Sequence, residues 1–277
     1  MKNIFLILLV TILLYSCEEP VHLDVSQGET RVVIEGQVTN VAGYQYVKVS
    51  QSGGFYDTGK PTRITDADVV IKDDAGNEYP FVHNPGKLAD SVGYYLPVTP
   101  FTGEVGRTYF LQVIVNEQLY EAKDKLYAVT NIDSLAYRID DDEKEDPKDY
   151  QKFYEVLIYA KEPQDTKDYY MFKFFRNDSL KVYNDTEIYF SDDETIGEDI
   201  DGISTPIYFA PGDMARCEIY SLSREAFVFY SDLQSLLNSD GGLFSQPPSN
   251  SRNNLTNGAL GFFQASSVHA KEIEIKE

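Results

Sequence analysis

The residues best equipped for chemistry in this chain are carboxylates. Asp192-Asp193-Glu194, Glu198-Asp199 and Asp201-Gly202 crowd one short stretch. Oxygen ligands at that density suit a hard cation such as calcium, with Asp192, Asp193, Glu194, Asp199 and Asp201 as candidate ligands. The stretch lacks the alternating ligands, central Gly and distant Glu of an EF-hand loop. A solvated acidic loop between strands is therefore the competing reading, and the Asp140–Asp146 run reads as a loop in the same way. A hydrolase working with two carboxyl groups would need one specific pair, and nothing in the sequence selects it. His22, His83 and His269 stand apart from one another: in a tether, in a loop before Asn84-Pro85, and near the C-terminus. No HExxH, GxSxG, Walker loop or GxGxxG occurs. Cys217, in Arg216-Cys217-Glu218-Ile219-Tyr220, has no histidine close in sequence to serve as its base and reads as a small core residue on a strand. The chain is expected not to be an enzyme.

Composition narrows the partners. The 277 residues carry 24 Lys and Arg against 45 Asp and Glu, a net charge of -21. That field repels phosphate and excludes nucleic acid as a partner. Two cysteines exclude a disulfide scaffold and a thiolate zinc site. Tyr (21) and Phe (16) are abundant and Trp is absent. Such rings serve a sugar-stacking surface, a protein-binding face or a core, because alternate strand residues point inward.

The N-terminus reads as an address. Lys2 precedes an apolar run from Ile4 to Leu14, too short to span a bilayer and of the right length for a secretory signal. Leu14-Tyr15-Ser16-Cys17 resembles the lipobox of bacterial lipoproteins. That resemblance implies cleavage after Ser16 and lipidation of Cys17, with several acyl chains giving a stable anchor in the outer membrane. Glu18-Glu19 then resemble the acidic export signal that sends Bacteroidota lipoproteins to the cell surface, so the expected location is the outer membrane, facing the exterior. Asp90-Ser91-Val92, Asp133-Ser134-Leu135 and Asp178-Ser179-Leu180 match a short O-glycosylation motif of Bacteroidota envelope proteins. Ser91 and Ser179 are the candidate acceptors, since Ser134 falls in a strand.

The elements follow from period and punctuation. Residues 1–16 are the signal and 17–29 a polar tether. From Arg31 the period is two, with Val32, Ile34 and Val38 on one face. Asn40-Val41-Ala42-Gly43 turns the chain into a returning strand, Tyr44 to Ser50. Val69-Val70-Ile71, Gly93-Tyr94-Tyr95-Leu96, Thr108 to Val115 and Leu119 to Ala122 are further strands. Short strands separated by turn signals predict a β-sandwich over 30–128. Its glycine-marked segments resemble transthyretin-like and carboxypeptidase-regulatory-like modules, of an Ig-like architecture. A second β-rich domain is expected over 129–277. Strands are read at 132–139, 153–161, 168–176, 179–183, 206–209 and 217–222. One helix runs from an N-cap at Ser223 to about Asn238, its stripe of Phe227, Tyr230, Leu233, Leu236 and Leu237 read as core. Gly258 to Ala265 is expected to be a closing strand of the second domain. The fold class is mainly β.

The whole mature chain resembles one Bacteroidota lipoprotein family, known only as a domain of unknown function (number four-two-four-nine). The carrying motifs are the lipobox, Val33-Ile34-Glu35-Gly36-Gln37-Val38-Thr39-Asn40, Ala67-Asp68-Val69 with Asp73-Asp74-Ala75-Gly76, and Gly106-Arg107-Thr108-Tyr109. Asp199-Ile200-Asp201-Gly202, Pro211-Gly212-Asp213 and Ala259-Leu260-Gly261-Phe262-Phe263 complete them. Members are typically encoded beside TonB-dependent receptors. The resemblance implies a non-catalytic surface lipoprotein that assists such a transporter or captures its substrate, and it supplies no catalytic residues. An envelope adhesion module binding glycan or protein is the alternative, and a carboxylate hydrolase the lesser one.

Overall fold

A computed structural model describes residues 29–53, 59–146, 148–149, 151–184, 186–197, 199–239 and 250–277. Cys17, His22 and the acidic tether lie outside them. Among the described residues no helix is long and apolar enough to cross a membrane. The fold is mainly β.

Seven strands of the N-terminal part form where side chains alternate in burial. They are β1 (Val32–Thr39), β2 (Tyr46–Gln51), β3 (Asp68–Asp73), β4 (Glu78–His83), β5 (Tyr94–Pro97), β6 (Thr108–Val115) and β7 (Gln118–Lys125). In β6, Tyr109, Leu111, Val113 and Val115 are buried while Phe110 and Ile114 face outward. The core also takes Ile34, Val38, Val47, Val49 and Ile71. Turn chemistry fixes the register. Asn116 and Glu117, both at positive φ, join β6 to β7 by a two-residue hairpin loop. The Asp73 carboxylate accepts hydrogen bonds from the Ala75 and Asn77 amides and closes the β3–β4 turn. His83, expected in a loop, ends β4, and its Nε2 accepts the Gly93 amide at 2.9 Å.

The eighth strand of this sheet comes from the far end of the chain. Strand β15 (Leu260–Ser266) pairs in parallel with β1, from Val33 opposite Leu260 to Thr39 opposite Ser266. The sheet order is β15-β1-β2-β5-β4-β3-β6-β7. This corrects the expectation that Gly258–Ala265 closes the second domain. The run is buried on both faces: Phe263 and Ala265 enter the N-terminal core, while Phe262 faces the other way. Near-continuous apolar character marks a strand covered on both sides. Gly261 makes the contact feasible, since a Cβ there would stand 2.1 Å from the Ile34 carbonyl oxygen. The sheet also curls until its end strands meet. The Ala265 amide donates to the Asp124 carboxylate of β7 at 2.8 Å, and Tyr127 bridges in parallel to Ser266.

The second unit packs two sheets face to face. One holds β8 (Ile132–Ile139), β9 (Tyr154–Lys161) and β13 (Asp199–Ser204), in the order β13-β9-β8. The other holds β10 (Tyr169–Arg176), β11 (Ser179–Lys181), β12 (Phe190–Asp192), β14 (Met214–Ser221) and β16 (Val268–Glu274). Val156, Ile158, Phe174, Ala215, Cys217 and Ile219 fill the space between them. The Asp199 segment, expected in a loop, forms β13 because buried Ile200 anchors it. Conversely, 206–209 is not a strand and holds only the isolated pair Tyr154–Phe209. The Asp140–Asp146 run, also read as a loop, contains a short helix α1 (Asp141–Glu145) capped by the Asp140 carboxylate. A one-turn helix α2 (Asp193–Ile196) follows β12. Helix α3 (Arg224–Leu237) stands where its cap predicted, with the Ser223 hydroxyl accepting the Ala226 amide at 3.1 Å.

Candidate functional site

Strand β14 presents two faces. Ala215, Cys217 and Ile219 enter the second core, so Glu218 and Tyr220 face the first unit. Helix α3 packs over this junction, with Phe229 stacked on Phe262 at 5.0 Å and Phe227 against Tyr169 at 4.8 Å. Between α3 and strands β1, β2 and β15 lies a cleft of about 400 Å³. The strands contribute Glu35, Gln37, Tyr46, Phe262 and Gln264, and α3 contributes Phe229, Tyr230, Leu233 and Leu236. A second pocket of about 240 Å³ shares Gln37, Tyr46 and Tyr230 and adds Met171 and Lys173 of β10. An apolar concavity with a few fixed polar groups is the usual form of a small-molecule site.

The polar groups are held in place. The Tyr230 hydroxyl donates to Gln264 Oε1 at 2.7 Å, and Gln264 Nε2 donates to Ser266. Gln37 Nε2 donates to the Tyr44 carbonyl at 2.9 Å. Burial pushes the Tyr230 phenol far above its ordinary value. Burial, reinforced by the Glu35 carboxylate, pushes Tyr46 up to about 12. Both phenols are therefore protonated at neutral pH, and the Tyr230 hydroxyl is the donor to Gln264. Glu35 itself pairs with Lys48 at 2.7 Å. Such a constellation can grip and orient a ligand with a ring or chain body and a few polar groups.

The residues singled out from the sequence lie elsewhere. Asp192 caps α2, its Oδ1 accepting the Thr195 amide at 2.9 Å. Asp193 accepts the Glu194 and Asp168 amides, and Glu194 pairs with Lys167. Asp199 accepts the Glu162 amide at 3.3 Å, and Asp201 lies in β13. Among the described residues no three His, Cys, Asp or Glu side chains converge as metal ligands would. Ser91 ends a 3-10 turn and is partly buried, whereas Ser179 is exposed at the start of β11. Ser134 lies exposed in β8. Cys217 is fully buried, and burial pushes its thiol up to about 12. His269 accepts the Ile132 amide through Nδ1, and burial lowers its basicity. The buried Cys217 thiol is thus not activated as a nucleophile.

The cleft residues were missed because they come from separate elements. The α3 stripe, expected to be core, divides: Phe227 packs in the junction core, Tyr230, Leu233 and Leu236 line the cleft, and Leu237 is exposed.

No curated protein matches the chain. A family model described as "Domain of unknown function (DUF4249)" matches residues 18–272, nearly all of the 277-residue chain. The chain belongs to that family.

Proposed function

We propose that this protein is a lipid-anchored, non-catalytic binding protein of the outer membrane. It captures a small ligand at the junction cleft and serves as the accessory partner of a TonB-dependent transporter. The cleft carries the capture part of the reading: its aromatic walls and fixed donors suit binding, and its phenols are too weakly acidic for proton transfer at neutral pH. The lipobox ending in Cys17 supports the anchor. The acidic Glu18-Glu19 support an outward-facing location, and the arrangement of genes typical of the resembling family supports the transporter.

The test is a pull-down of the tagged protein, anchored as in its native membrane, from gently solubilised outer membranes, read by mass spectrometry. A stoichiometric TonB-dependent receptor is expected. Recovery of the lipoprotein alone would overturn the transport role and favour an envelope adhesion module.

A further inference from the structure

Lys173 lies on β10 directly across from Glu218 of β14. Opposite charges in that register normally pair. Here the carboxylate is already engaged. Glu218 has no exposed surface, its Oε1 accepts the Tyr44 hydroxyl at 2.9 Å and its Oε2 accepts the Tyr220 hydroxyl at 2.6 Å. Arg216 Nη1 adds a third contact at 3.5 Å. Lys173 Nζ stands instead 4.2 Å from the centre of the Tyr220 ring. Among the described residues no carboxylate reaches it within salt-bridge distance. Burial lowers the ammonium below its ordinary value, against the pull of Glu218. A partly buried ammonium that no carboxylate contacts at salt-bridge distance is stabilised by an anion that reaches it.

Lys173 opens into the 240 Å³ pocket, with Lys181, Gln37, Tyr46 and Tyr230 around it. One carboxylate, Glu187, lines the same pocket, but Oε1 accepts from Asn184 at 3.0 Å and Oε2 from the Tyr189 hydroxyl at 2.7 Å. The chain as a whole, at -21, repels anions. An anion bound here is therefore selected by local contacts and not by the overall field.

We propose that this pocket binds a small organic anion, its carboxylate at Lys173 and its ring or chain body against Tyr46 and Tyr230. The inference rests on the capture reading above and names the ligand class. Its head group completes the ion pair that Glu218 does not supply. Its body extends toward the larger cleft, which the shared residues Gln37, Tyr46 and Tyr230 connect to the pocket.

The test is calorimetric titration of the full chain with phenylbutyrate and with its uncharged analogue phenylbutyramide. Wild type is expected to bind the carboxylate at least about tenfold more tightly than the amide, the scale of one charge-assisted contact. Lys173→Met keeps the aliphatic stem and should abolish that preference. Lys173→Arg should retain the preference. Equal binding of both compounds by wild type overturns this inference and leaves the capture reading standing. Binding of neither compound overturns both. A preference that survives in Lys173→Met overturns the assignment to this lysine, and should that variant fail to fold, the wild-type comparison alone decides.

Discussion

Asp124 is where the chain's stability meets its pH dependence. It is buried between β7, β15 and the cap of α3, and burial pushes its carboxyl up to about 7 against hydrogen bonds from the Ala265 amide, Ser223 and the Lys125 amide. Its folded value lies above its unfolded one of about 4. The stability it contributes is therefore complete below about pH 4 and is lost as pH rises through about 7. Buried Glu162, raised by burial despite the Tyr170 hydroxyl, acts in the same direction. Asp232, held low by Arg252, acts oppositely: its stabilisation is present above the unfolded value and disappears as pH falls through the folded one. Melting temperature should therefore fall between about pH 5 and pH 7, and Asp124→Asn should flatten that slope. An unchanged slope in the variant would show that Asp124 is not responsible. Gly261 gives a second expectation at this scale. With φ at +100° and the Ile34 carbonyl in the way of any Cβ, Gly261→Ala should cost about 3 kcal/mol or more in urea unfolding.

Single elements were legible wherever local chemistry decides them. Strand β6 shows its period of two, the Asp73–Gly76 turn its side-chain closure, and α3 its Ser223 cap. Strand β13 was not, because only Ile200 enters the core while Asp199 and Asp201 stay exposed, so the acidic residues hide the strand. The helix α1 was missed for a similar reason: a run of like charges reads as solvated, yet Asp140 caps its first turn through the Asp142 and Glu143 amides. For α3, the cap is the sensitive point. Ser223→Ala should cost about 1 kcal/mol, because the Ala226 amide loses its acceptor. It should also loosen the cleft wall formed by Tyr230 and Leu233, read as faster amide hydrogen exchange along the helix.

At the scale of the whole molecule, the sequence does not reveal which distant segments pair. The chain order suggests an N-terminal domain complete by about residue 128, but β15 supplies its last strand and puts Phe263 into its core. The cleft was illegible for the same reason, since β1, β2, β15 and α3 come together only through that pairing. A fragment ending at residue 128 should therefore fail to fold cooperatively, leaving β1 as an unpaired edge. A sharp thermal transition and dispersed amide NMR spectrum from that fragment would contradict this. The central claim is that the junction cleft captures a small molecule. The most direct test is native mass spectrometry of the full chain purified from its own outer membrane, compared with the Tyr46→Ala variant. A small-molecule adduct on wild type, lost on denaturation and absent from the variant, is the expected result. A wild-type chain without an adduct, or one whose adduct persists in Tyr46→Ala, would contradict the account.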